Sequence, residues 1–189
     1  MQLPINNTST AFYKLTVLDN YIHIKRDEIT CPRCKQERIK QPNKGFVGKC
    51  GKCGNYHNFL VLLPHQKLIY ELSNYALFNL GGVGSGKSTV NAKKVVDHML
   101  NTPGGHYVCI EQQEAQLTKI SRPEFMKQIH KDWLTKNNSY EIIFKNGARI
   151  EFWKSPKPQA LRGLNLNMAW LFEASHINLG IYTEIKKRV

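Results

Sequence analysis

The sequence is short of acid. Asp and Glu together number 14 against 27 Lys and Arg, a formal net charge of +13. That deficit points to a polyanionic partner, most often nucleic acid, against the plainer reading of a basic but otherwise ordinary enzyme. Long apolar runs are missing too. No segment approaches the roughly 20 apolar residues of a membrane span, so no membrane partner is expected. The opening MQLPINNTST is polar and contains no signal-peptide h-region. No internal repeat or low-complexity tract is visible. Cysteine is scarce: four of the five residues form two CxxC pairs and Cys109 stands alone. In an intracellular chain that spacing reads as metal binding, not as disulfides. At 189 residues the chain holds one medium domain or two small ones.

What is present centres on GGVGSGKST at residues 81–89, which fits G-x-x-x-x-G-K-[ST]. Gly81, Gly82, Gly84 and Gly86 let the backbone form a nest of inward N–H donors that β-carbons would obstruct. Ser85 lies within that nest. Lys87 reaches β- and γ-phosphates, and the hydroxyl of Ser88, followed by Thr89, suits Mg²⁺. An apolar run at 75–80 precedes the loop and a helical pattern follows it at 87–101, which puts the phosphate at a helix N-terminus. The loop with its flanks predicts binding of a nucleoside triphosphate. A Gly/Ser linker that matches by chance is the alternative.

The first sixty residues carry a second motif. Residues 11–24 alternate loosely and predict a strand or two. Cys31 and Cys34 make one knuckle and Cys50 and Cys53 another, and together they complete a tetrahedral S₄ site suited to structural Zn²⁺. The stretch at 35–49 is long enough for a short hairpin, as in a zinc ribbon. A redox dithiol or buried free cysteines are the alternatives. His57 is either a substitute ligand or a packing histidine. Basic residues around the knuckles, interleaved with Phe46, Tyr56 and Phe59, fit a grip on a DNA backbone. A solvated face over three core aromatics explains them equally.

Past residue 63 the pattern alternates between strand and helix. A helix is expected at 67–74 with Pro64 near its start. Gln66 carries both a donor and an acceptor, as an adenine edge requires, though a lone glutamine is usually surface. Helix 87–101 stops at Thr102-Pro103-Gly104-Gly105, and 106–110 reads as a buried strand with Cys109 as a small core residue. Residues 113–130 read as helical with a break at Arg122-Pro123. Apolar runs at 140–144 and 148–153 flank Asn146-Gly147 as a hairpin. The strand at 168–172 ends in Glu173, whose carboxylate would orient or deprotonate an attacking water; a solvated residue is the alternative. These elements predict an α/β fold: a phosphate-loop NTPase sheet with flanking helices, preceded by a small Cys₄ zinc ribbon. The expected division is 1–63 for the arm and ribbon and 64–189 for the ATPase core.

In order, Pro64-His65-Gln66, the loop GGVGSGKST, the hairpin with Asn146-Gly147, and LRGLN…WLFEAS at 161–175 resemble the ATPase domain of the large terminase subunit of tailed bacteriophages. The resemblance implies an ATP-driven motor that packages double-stranded DNA in the host cytoplasm. A homo-oligomeric ring with a portal protein and a small terminase subunit would be its setting. By resemblance Gln66 contacts adenine, Lys87 and Ser88 hold phosphate and Mg²⁺, Glu173 is the catalytic glutamate, and Arg162 is an arginine finger reaching a neighbour. A structural Arg paired with a carboxylate is the alternative for Arg162. The chain departs from the family pattern at Phe172, where an acid commonly holds Mg²⁺, and at Val83, where many members carry arginine. It also ends before the later coupling motif and the nuclease domain. A piece of a longer or split protein, or a decayed copy, is therefore expected. Another nucleic-acid motor of helicase type, or a binding module without turnover, are the competing functions.

Overall fold

The computed structural model describes residues 28–31, 33–35, 38–40, 42, 45–72, 84–154 and 156–189. The predicted strands at 11–24 and 75–80, and Gly81, Gly82 and Val83, lie outside these residues.

Four short strands open the described chain: β1 (Glu28–Thr30), β2 (Arg38–Lys40), β3 (Val47–Lys49) and β4 (Tyr56–Asn58). β1 pairs antiparallel with β2, and β3 with β4. This differs from the expected single hairpin at 35–49, because each CxxC knuckle sits in the turn of its own hairpin. The two turns have the same geometry. Lys35 N donates to Cys31 O at 2.8 Å and Gly54 N to Cys50 O at 2.9 Å. The returning residue is left-handed in both, with φ +54° at Lys35 and +70° at Gly54.

Helix α1 (Pro64–Glu71) starts at the proline, whose missing N–H costs nothing in a first turn. It begins and ends earlier than the expected 67–74, with Leu72 already extended (φ −64°, ψ 130°), and its last carbonyls are met from outside the helix. Lys94 Nζ donates to Ile69 O at 3.3 Å and Tyr70 O at 3.1 Å, and also to Leu72 O. The donor belongs to α2 (Lys87–Asn101), whose buried Val90, Ala92, Val95, Val96 and Met99 form its inward face. Tyr70 also bonds Asp97, so the two helices lie against one another.

β5 (His106–Glu111) is buried at all six positions. Its side chains alternate between two apolar clusters: Tyr107 and Cys109 join α2, while Val108 and Ile110 join the opposite side. Cys109 is the core residue expected of it. The next segment runs without the predicted break at Arg122-Pro123. α3 (Glu114–Gln116) passes into a π-helical turn at Leu117–Ser121 and then α4 (Arg122–Met126). The wide turn, in which Arg122 N donates to Leu117 O, absorbs the missing N–H and the ring of Pro123 while the backbone stays right-handed.

β6 (Leu134–Asn137), β7 (Glu141–Phe144), β8 (Arg149–Lys154) and β9 (Met168–Leu171) complete a five-stranded sheet in the order β6-β7-β8-β5-β9. β5 runs parallel to both β8 and β9, while β7 is antiparallel to β8 and to β6. The β7–β8 turn places only Gly147 at positive φ, +84°. It is thus a three-residue loop closed by a left-handed glycine, not a two-residue turn with Asn146 also left-handed. Asn146 Nδ2 instead donates to Met99 O at 2.8 Å and caps the end of α2. α5 (Leu179–Lys186) covers the second face with Ile181 and Ile185. Helices on both faces of a mixed sheet bear out the α/β expectation.

Candidate nucleotide and metal sites

Gly84 and Gly86, at φ +77° and +76°, turn the loop into α2, and Gly86 is its left-handed cap. No side chain caps this helix end and no acid lies in its first turn, so its positive end lacks a carboxylate of its own. Ser85 Oγ is buried with no hydrogen-bond partner. Lys87 and Ser88 are the first two helical residues. Thr89 is placed differently from the sequence expectation, because its hydroxyl donates to Glu124 Oε2 at 3.0 Å and faces α4.

α1 delivers two side chains to the loop. Gln66 is buried; its Oε1 accepts from Leu63 N at 2.9 Å and its Nε2 donates to Ser85 O at 3.1 Å. The His65 ring also meets Ser85 O at 3.1 Å, and since a carbonyl only accepts, Nε2 carries the proton. A β-carbon on Gly86 would lie 2.0 Å from Gln66 Nε2, so the glycine is required here by space as well as by φ. Gln66 thus braces the loop. Its second amide hydrogen and second lone pair leave capacity for one further donor–acceptor pair.

The parallel strands β5 and β9 end side by side. Ile110 aligns with Leu171, and Phe172 N donates to Ile110 O at 2.9 Å. The strand at 168–172 is therefore one residue shorter than expected, and Phe172 continues the ladder without extending it. Its ring is buried in the α2-side cluster, 5.7 Å from that of Trp170. Glu173 follows at φ +49°, ψ +56°, one of two described non-glycine residues with positive φ. Its carboxylate is half exposed, with His176 Nδ1 at 3.5 Å. On the neighbouring strand Glu111, which the sequence reading missed, is fully buried. Oε1 accepts from Gln112 N at 2.8 Å and Oε2 has no partner. Burial pushes its carboxyl above the usual range; the Gln112 and Gln113 N–H groups oppose this, and the Glu173 charge adds to it. The signal in the sequence was an acid closing an otherwise apolar run at 106–110.

Arg162 lies on an exposed turn after the 3₁₀ turn Pro158–Leu161, with Nε 4.0 Å from Glu184 Oε2 of α5. The structure therefore pairs it with a carboxylate on the α5 face.

The four knuckle sulfurs lie within 4.8 Å of one another, with Cys31–Cys53 at 3.6 Å and Cys34–Cys50 at 3.7 Å. Zn–S bonds of about 2.3 Å in a tetrahedron require sulfurs about 3.8 Å apart, so the set fits zinc. The Cys34 backbone N–H is the main cause that brings the Cys31 thiol down from 9.0 to about 6, which favours the thiolate a metal needs. His57 stands outside the four, its Nε2 3.4 Å from Cys31 Sγ, as an outer partner of a ligand. Tyr56 and Phe59 are engaged in packing. Phe59 is buried with Cys31, Ile39 and Cys50. The Tyr56 ring lies 4.8 Å from His130 and 5.2 Å from Trp133. The four-strand unit rests on the segment before β6: Phe46 N donates to Lys127 O at 2.7 Å. Asp132 Oδ2 receives Lys49 Nζ at 2.6 Å and Tyr56 OH at 3.0 Å.

Fold and site together define a mixed α/β chain with a glycine turn opening a helix, acids at adjacent parallel strand ends and a four-cysteine cluster. A family model described as terminase large subunit, T4likevirus-type, N-terminal, matches residues 79–188, more than half of the chain. The chain belongs to this terminase large subunit family. The cysteine cluster lies ahead of the matched residues. No curated protein matches the chain. Among the described residues no helix is long and apolar enough to cross a membrane.

Proposed function

We propose that this chain is the ATP-binding motor portion of a phage terminase large subunit, hydrolysing ATP to drive DNA into a capsid. Residues 64–189 would form the motor core and 1–63 an arm and zinc-binding unit. The observation that carries this is the uncapped α2 N-terminus, opened by left-handed Gly84 and Gly86, in a chain of the terminase family. An anion suits that end: nothing lies within 4 Å of a β-carbon on Gly84, and buried Ser85 Oγ lacks a partner. In this reading Gly81, Gly82, Gly84, Ser85 and Gly86 cradle phosphate, Lys87 pairs with its charge, and Ser88 ligates Mg²⁺. Thr89 fixes the helix start to α4 through Glu124. Gln66 offers its remaining donor and acceptor to adenine while it steadies Ser85.

Magnesium, when bound with ATP, supplies charge neutralisation on the phosphates. Glu173 orients the attacking water and accepts its proton. The left-handed backbone supports that role, because an L side chain is held there at a cost of about 1–2 kcal/mol, and such outliers gather at functional sites. Arg162 is exposed enough to reach a neighbouring subunit of a ring, exchanging its weak contact with Glu184 for developing phosphoryl charge. Cys31, Cys34, Cys50 and Cys53 hold Zn²⁺. Double-stranded DNA, a portal protein and a small terminase subunit are the partners, in the host cytoplasm.

One observation favours a second reading. Phe172 is buried where an acid commonly holds metal, which suits a module that binds nucleotide without turnover. Titration of the full chain with a fluorescent ATP analogue, followed by ATP turnover with Mg²⁺ and duplex DNA, separates these readings. The motor reading expects binding that Lys87→Ala abolishes, and turnover that Glu173→Gln removes. Binding indifferent to Lys87→Ala refutes both.

A further inference from the structure

We propose that Glu111 supplies, from β5, the metal-facing carboxylate that the chain lacks at Phe172, the residue just past β9. The inference rests on the nucleotide reading above and adds a residue to that site.

Three observations lead to it. The first is placement. β5 and β9 are neighbouring parallel strands, and the Phe172 N–H bond to Ile110 O puts Glu111 and Phe172 side by side at their C-terminal ends. Ligands of open α/β sheets bind outside those ends. The second is the sheet face. Strand alternation puts Glu111 on the same side as Tyr107 and Cys109, in the cluster that α2 covers. Phe172 is in that cluster too, so the carboxylate is displaced by one strand and not to the opposite layer. The third is an unmet valence. Glu111 is fully buried, and while Oε1 serves Gln112 N, Oε2 has no hydrogen-bond partner. A buried carboxylate oxygen left unpaired costs free energy, and a cation, directly or through a water it holds, meets that oxygen.

The test is nucleotide affinity of the full chain, measured with a fluorescent ATP analogue in Mg²⁺ and in EDTA. Mn²⁺ binding to the nucleotide complex is followed by electron paramagnetic resonance. Glu111→Gln keeps the shape and removes the charge. Its Mg²⁺-dependent tightening should fall about tenfold or more, the loss typical of groups that support a metal. Affinity in EDTA should be unchanged or tighter, since a carboxylate facing phosphate repels it, and Mn²⁺ affinity should fall in parallel. Where the glutamine variant does not fold, Glu111→Ala, which leaves room for water and buries no new donor, carries the same comparison. Equal Mg²⁺ tightening in native and Glu111 variants overturns the assignment and leaves the nucleotide reading intact. Absence of nucleotide binding by the native chain, or binding insensitive to Lys87→Ala, overturns that reading and this assignment with it.

Discussion

Gly86→Ala tests the contact between α1 and the loop without any chemistry. Two costs are separable at this position. At φ +76° an alanine pays the left-handed penalty of about 1–2 kcal/mol. Its β-carbon would also fall 2.0 Å from Gln66 Nε2, so the amide must leave Ser85 O and Leu63 N. Each hydrogen bond lost removes about 0.5–1.5 kcal/mol, which brings the expected total to about 2–5 kcal/mol. Gly84 is the internal control. Its φ is +77°, but nothing lies within 4 Å of an added β-carbon, so Gly84→Ala should cost only the torsional part. Chemical denaturation of both variants, alone and with Gln66→Ala, completes the cycle. With Gln66 removed, Gly86→Ala should cost no more than Gly84→Ala, a coupling of about 1–3 kcal/mol. If Gly86→Ala costs the same with and without Gln66, the brace between α1 and the loop is not what the glycine serves.

Metal removal should loosen the four-strand unit and its seat on the core. Chelation should lower the melting temperature and raise amide exchange at 127–133, with one zinc released per chain, whereas an unchanged melt without released metal would refute the Cys₄ assignment. Asp132 should confer a pH dependence, because the Lys49 ammonium and Tyr56 hydroxyl hold its carboxyl below the usual 3.8. Its contribution is full above that value and lost as pH falls through the depressed folded value, so Asp132→Asn should be destabilised at neutral pH and show a flatter acid limb. Glu173→Gly should gain about 1 kcal/mol in denaturation by relieving a positive φ, while turnover is lost; a less stable glycine variant would argue against strain at that residue.

The sequence was most legible where the signal was local. Helix 87–101 and strand 106–111 follow from an apolar face, a Pro-Gly stop and a continuous apolar run. The β7–β8 hairpin follows from Asn146-Gly147, although the loop is one residue longer than that pair suggests. Two CxxC pairs announced four sulfurs that the fold does bring together, yet not that each pair turns a hairpin of its own. Non-local pairing was less visible. β6 is polar and exposed beyond Leu134, so it carries no apolar alternation, and it exists because β7 offers an edge. The seat on Asp132 joins residues more than seventy positions apart, and an ordinary Lys-Asp or Tyr-Asp pair has no signature in a linear reading. The π turn ahead of Pro123 was equally hidden, because proline marks a conflict with the helix and not how the helix resolves it. Of the proposed site, the helix start at Lys87 behind left-handed Gly84 and Gly86 was readable by spacing, whereas the bond from Thr89 to Glu124 depends on where α4 packs.

Glu173 and Glu111 break the rules a stable sheet would follow, and they do so beside the buried ring of Phe172. A core position has a ring where the family pattern has an acid, the next residue is held left-handed, and the adjacent strand buries a carboxylate oxygen with no partner. The last two are hard to explain by folding alone. Phe172 packs against Trp170 with ring centres 5.7 Å apart, as a core residue should. A glycine would relieve Glu173, and a glutamine or alanine at 111 would avoid burying a charge. Local conflicts of this kind are expected where function opposes stability. Glu111 and Phe172 meet at the ends of β5 and β9, on the side of the sheet covered by α2. The ring at 172 is thus best understood with Glu111 beside it. In the site proposed above, the carboxylate absent at Phe172 is supplied by Glu111 on the adjacent strand. The Mg²⁺ dependence of nucleotide binding in Glu111→Gln therefore decides whether the ring at 172 leaves the chain one ligand short.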